Sequence, residues 1–137
     1  MAGGPGGATA GERHALVDDA LRRAGDLVGR TVELGAGERR WLAVHRANQR
    51  PAGRGGALLL HAPTGNADAA ETIRPLRLGL SEAGWDTLSI QLPVLGKEAR
   101  YYDYLTVFDE AIPRIEAALE YARMQGNRRI VLIAHSC

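Results

Sequence analysis

The chain has 137 residues, a length that allows one domain at most. Hydrophobic residues make up 45% and charged residues 24%, so it can bury a core and is not of disordered composition. The formal net charge is +1 and the arginines are scattered, which gives no support to a nucleic-acid partner; the single cysteine excludes an internal disulfide and a multi-cysteine zinc site. No stretch approaches the length of a membrane span. The start, Met1-Ala-Gly-Gly-Pro-Gly-Gly-Ala8, has neither a basic n-region nor an apolar h-region. As written it predicts a cytoplasmic protein, and a periplasmic or envelope one if the true start lies upstream.

Residues 1–11 are Gly-rich and read as a disordered tail, leaving 12–137 as the domain. Glu12 to Val28 reads as a helix, with Leu16, Ala20, Leu21, Ala24, Leu27 and Val28 near one face and Gly29 as the stop. Thr31–Leu34 and Arg40–His45, joined through Gly35-Ala-Gly37, read as a β-hairpin. Gly56–His61 is an apolar run of the kind that is buried on both faces of a parallel sheet. Asp68 and Glu71 have capping-box spacing, predicting a helix from Asp68 to about Ala83. Pro75 either kinks that helix or moves its true start to Ile73. Gly84 is the expected C′ residue.

Trp85–Leu92 reads as a further strand, with Trp85, Thr87, Ser89 and Gln91 on one face and Leu88, Ile90 and Leu92 on the other. A loop follows to Asp103. Tyr104–Gln125 is the longest helical pattern, with a stripe of Leu105, Phe108, Ile112, Ile115, Leu119 and Ala122 that Pro113 interrupts. Ile130–Ile133 closes the order as a short buried strand. Strands alternating with helices in this way predict an α/β fold with parallel pairing through right-handed crossovers.

The chemistry-bearing stretch is the end of the chain. Ala134-His135-Ser136-Cys137 follows a strand and has the first four positions of a nucleophile elbow, Gly-x-Ser-x-Gly, with Ala134 for the first Gly. The elbow is a sharp strand-to-helix turn that presents a serine hydroxyl, and small neighbours suit its close-packed backbone. The plain alternative for Ser136 is a small residue in a strand-end turn. His135 is expected to pack beside the elbow, His61 to make a structural hydrogen bond to its loop, and His45 and His14 to be solvated or half-buried. Gly65-Asn66 ahead of a helix is a candidate anion cradle. Tyr101, Tyr102 and Tyr104 are candidates for a pocket mouth or a loop anchor. Four dispersed histidines give no metal-site signal. Neither a Gly-x-Gly-x-x-Gly nor a Gly-Lys-Ser/Thr pattern is present to support a nucleotide cofactor.

Three stretches carry a resemblance: Ala57–Pro63, Gly84–Val94 and Ile130–Ser136. With the element order, they resemble the N-terminal half of an α/β-hydrolase. They are most similar to an uncharacterised bacterial family of such proteins, known only as a domain of unknown function. The resemblance covers roughly residues 33–137 and implies that the Gly56–His61 strand is the third, with a loop that helps form an oxyanion hole. It implies Ser136 as nucleophile and Cys137 as one backbone oxyanion donor, with Ala62 or Thr64 as the other, because Pro63 has no N–H. The substrate implied is a small-molecule ester or other acyl compound, with no cofactor. In the superfamily the acid and the His follow the serine, so both would lie beyond residue 137. The chain is therefore expected to be a fragment, inactive and poorly stable alone. The competing reading is a non-catalytic α/β-hydrolase-like fold with a binding or cell-envelope role. Neither reading specifies an oligomeric state.

Overall fold

A computed structural model describes residues 10–36, 39–63, 65–94 and 101–135. Its elements in chain order are α1 (Ala10–Arg23), β1 (Arg30–Ala36), β2 (Arg39–Arg46), β3 (Gly55–Leu60), α2 (Ile73–Glu82), β4 (Trp85–Ile90), α3 (Tyr101–Met124) and β5 (Ile130–Ala134). The five strands form one mixed sheet in the order β1-β2-β4-β3-β5. β1 pairs antiparallel with β2, and β2 antiparallel with β4. β3 lies between β4 and β5 and pairs with both in parallel. The α/β class is thus observed, and β3 is the third strand in chain order. The expected disordered tail falls mostly on residues 1–9, outside the described residues.

The sheet has a core on each face because its strands are apolar at alternate positions on both. On one face, Leu58, Leu88 and Ile90 pack with Leu34 and Ala43 against Ala118 and Ala122 of α3. Two alanines at i and i+4 let that helix approach the strands closely. On the other face, Leu42 and Val44 pack with Leu21 of α1 and with Ala67. Burying each leucine stabilises the fold by roughly 1.5–3 kcal/mol. Thr87 and Ser89 alternate with Leu88 and Ile90 along β4, as expected, and all four are buried. The Thr87 hydroxyl is accommodated by donating to the Arg46 carbonyl, 2.9 Å.

Several local expectations need correction. The first helix runs from Ala10 to Arg23 and not to Val28. Ala24–Val28 turns instead, and Val28 is exposed. The capping box does not form: α2 starts at Ile73, its N-cap Thr72 makes no side-chain capping bond, and Asp68 is used elsewhere. Pro75 then falls in the first turn, where a missing N–H removes no helical bond. Pro113 does not interrupt α3, which is one helix of 24 residues. The α3 stripe holds in part: Ala122 is buried, and Ile115 and Leu119 pack against the core. Ile112 is 56% exposed, while Ala111, Arg114, Ala118 and Ala122 are buried. Tyr101 and Tyr102 begin α3 and do not belong to a loop. The side chains of Leu105, Phe108 and the three tyrosines lie outside the described residues. At the edge of the sheet, β5 leaves Leu132 53% exposed.

Candidate functional site

Parallel pairing puts the C-terminal ends of β3, β4 and β5 on one edge: Leu60 is in register with both Ile90 and Ala134. Ligands of open α/β sheets bind at such an edge, where loops diverge from the strand ends. The ladder continues one step beyond β5, since the His135 N–H donates to the Leu60 carbonyl, 2.9 Å. The residue before Ser136 is therefore fastened beside the start of the loop that follows β3. Ser136, Cys137 and Thr64 lie outside the described residues. Ala62 is described. Its carbonyl accepts from the Gly65 N–H at 2.8 Å, which closes a tight turn with Pro63 in second position.

That loop is held from below by a buried polar network. His61 is 3% exposed. Its Nδ1 donates to the Ala62 carbonyl, 2.6 Å, and its Nε2 accepts from the Leu92 N–H, 2.9 Å. This pattern assigns the proton to Nδ1 and ties the ends of β3 and β4 together. Gln91 spans the same loop. Its Oε1 accepts from the Ala67 N–H, 2.9 Å, and its Nε2 donates to the Leu92 carbonyl, 2.9 Å, while also approaching His61 Nε2 at 3.2 Å. Arg114 donates from α3 to the Gln91 carbonyl, 2.5 Å, and its guanidinium stands 5.8 Å from the centre of the Trp41 ring. Burial pushes the His61 imidazole below its ordinary pKa, and the nearby Arg114 charge lowers it further. His61 is thus a neutral structural anchor with both ring nitrogens engaged, as expected from the sequence.

A second cluster fixes the far side of the same loop. Asp68, 3% exposed, accepts from Arg74 Nη2 at 2.8 Å and from Arg74 Nε at 3.1 Å. Its other oxygen lies 3.5 Å from Nη1 of Arg77, whose side chain is fully buried. Arg77 also donates to the Val28 carbonyl through Nη1, at 2.9 Å, and through Nη2. Asp68 therefore links the post-β3 loop to α2 and to the turn after α1. Gly65-Asn66 is not an anion cradle. It lies seven residues ahead of α2, and Asn66 Oδ1 is occupied by the Asp68 N–H, 2.8 Å.

The opposite end of the sheet holds a third group. His45 is 6% exposed, more buried than the solvated or half-buried position expected: it is 2.7 Å from Asp86 Oδ1, with the Tyr121 ring edge-on at 5.7 Å. Asn127 Nδ2 donates to Asp86 Oδ2, 2.7 Å. Burial pushes the Asp86 carboxyl up. The hydrogen bonds from His45 and Asn127, with the charges of His45 and Arg30, outweigh that and hold it below its usual range. Asp86 is in register with Gly56, at the start of β3, whereas His135 follows the strand ends. This His–Asp pair therefore cannot serve the serine edge. The His14 side chain lies outside the described residues. Among the described residues, no cluster of three His, Cys, Asp or Glu could hold a metal ion. No described helix is long and apolar enough to cross a membrane.

Sequence reasoning missed Gln91, Arg114, Asp68 and Arg77 as site-shaping residues. A signal existed for two of them. Gln91 is a polar residue at the end of an apolar strand, and Arg114 lies one helical turn before the buried Ala118 of α3.

A family model described as "Protein of unknown function (DUF3530)" matches residues 27–104. Among solved structures, the chain is similar to an alpha-beta serine hydrolase homologue from Coxiella burnetii, with a TM-score of 0.59 and 14% identity. That likeness covers 80% of this chain and 53% of the other, so the chain spans about half the length of the structure it matches. At this identity it shows an α/β-hydrolase-like fold. No curated protein matches the sequence.

Proposed function

The chain belongs to the DUF3530 family, whose function is unknown, and on that footing we propose that it carries the nucleophile half of a serine hydrolase acting on ester or related acyl bonds. One observation carries the reading. The bond from the His135 N–H to the Leu60 carbonyl fastens the residue ahead of Ser136 beside the start of the loop after β3, the loop that the reading assigns to the oxyanion hole. Ser136 attacks the carbonyl carbon. The backbone N–H of Cys137, with that of Ala62 or Thr64, receives the developing oxyanion, each donor being worth roughly 3–4 kcal/mol of barrier. In the superfamily order the acid and the His base follow the serine, so this reading takes both from outside residues 1–137. His61 has both nitrogens engaged, and the His45 ring is bonded to Asp86, which is in register with the start of β3. Without a base the hydroxyl is a poor nucleophile, so the 137-residue chain alone is expected to be inactive.

The second reading, a silent hydrolase-like fold used for binding, is favoured by Pro63, which puts a residue without an N–H into the oxyanion loop. Protein expressed from the complete reading frame, treated with a fluorophosphonate probe and assayed with a p-nitrophenyl ester, separates the two. Labelling and turnover that vanish in Ser136→Ala support the hydrolase. Folded protein that takes no label and turns over no ester overturns it and leaves the binding reading.

A further inference from the structure

The amino end of the parallel strands, opposite the serine edge, carries an open cleft of about 690 Å³. That volume suits a small organic ligand. Arg54, Arg128 and Arg129 line it with Trp85, Asn48 and Asn127, and among the described residues no carboxylate lines it. The nearest acid along the chain, Asp86, is drawn into its bonds with His45 and Asn127. Arg54 uses Nε to bond the Ala83 carbonyl at the end of α2, 2.8 Å, so helix capping accounts for one of its five N–H donors. Arg128 and Arg129 form no ion pair or side-chain hydrogen bond with any described residue. Their backbone is nevertheless pinned. The Arg129 carbonyl accepts from the Gly56 N–H, 2.8 Å. Gly55 has φ +140°, and a Cβ there would strike that same carbonyl. Three arginines thus line one concavity together with a tryptophan, in a chain whose net charge is only +1. Guanidinium forks match the oxygens of phosphate in bidentate geometry.

We propose that this cleft is a binding site for a small phosphate-bearing molecule, separate from the serine edge and independent of any hydrolase activity. The test is calorimetric titration of the protein with sodium pyrophosphate at low ionic strength. Saturable one-to-one binding is expected. R128A/R129A should weaken it by roughly tenfold or more, since it removes two of the three arginines whose guanidinium forks would hold the anion. R23A/R39A removes the same charge from exposed positions outside the cleft and should leave affinity unchanged. Arg128→Ala alone should give an intermediate loss, and serves if the double variant does not fold. Absence of saturable binding, equal weakening in both double variants, or binding confined to phosphatidylglycerol vesicles would overturn the proposal.

Discussion

Replacing Gln91 by Leu tests whether the loop after β3 is positioned by the side chain beneath it. The substitution removes three interactions while roughly keeping the volume. The Ala67 N–H loses its acceptor at 2.9 Å, in a residue with no exposed surface. A buried donor left without a partner costs about 1–3 kcal/mol. The Leu92 carbonyl loses a donor at 2.9 Å, but Leu92 is only half-buried, so water can partly replace it. The contact to His61 Nε2 at 3.2 Å is also lost, yet that nitrogen keeps the Leu92 N–H. Arg114 still bonds the Gln91 backbone carbonyl, which the substitution leaves in place. The sum is a loss of about 2–4 kcal/mol. Urea denaturation with a shared m-value measures it, and amide exchange of Ala67 reports the loop itself. Exchange at Ala67 should accelerate more than exchange in β2. A stability change under about 1 kcal/mol with Ala67 protection intact would refute the idea that Gln91 holds the loop.

Arg77→Met should destabilise by about 2–3 kcal/mol, less than the roughly 3–5 of a fully broken buried pair, because Asp68 keeps Arg74 at 2.8 Å. Arg74→Ala, at a partly exposed side chain, should do less, and the opposite ranking in urea melts would show that Arg77 is not the anchor. The pH dependence follows from two depressed groups. A His61 whose folded pKa lies below the unfolded value of about 6.5 contributes stability that is complete above that value and lost as pH falls towards the folded one. Asp86, also depressed, contributes stability present above its unfolded value of about 3.9 and lost as pH falls through the folded one. Imidazole chemical shifts should show His61 titrating at lower pH than an exposed histidine, as the Nδ1–H tautomer. A His61 midpoint at or above the ordinary value would contradict its burial as a neutral anchor.

The polar residues show where the sequence ran out. His61 was legible because it closes an apolar strand and meets its own loop, a local arrangement. Gln91 was not: its partners Ala67 and His61 are 24 and 30 residues away, and only strand pairing brings them together. Arg114 was hidden because a charged residue beside the apolar stripe reads as solvent-facing by type, although it is buried. Ile112 looks like a core residue by type, yet the face of α3 that meets the sheet is set by the alanines that allow close contact. The capping box at Asp68 failed for a related reason. A carboxylate that can neutralise a fully buried guanidinium gains more there than at an exposed helix end, where such caps contribute about 1 kcal/mol.

By itself the sequence determined the α/β class, the order of the elements, the apolar strands with their parallel crossovers, and the serine segment at the end of the last strand. Those follow from local periodicity, β-branching and the placement of glycines, which act within a few residues. The tertiary structure alone decided that β3 lies between β4 and β5 and that His135 is bonded beside the loop after β3. It also decided that the His45–Asp86 pair sits at the far edge and that three arginines share one cleft. Each of these depends on which strand neighbours which, and that is fixed by packing both faces of the sheet at once rather than by any single stretch of chain.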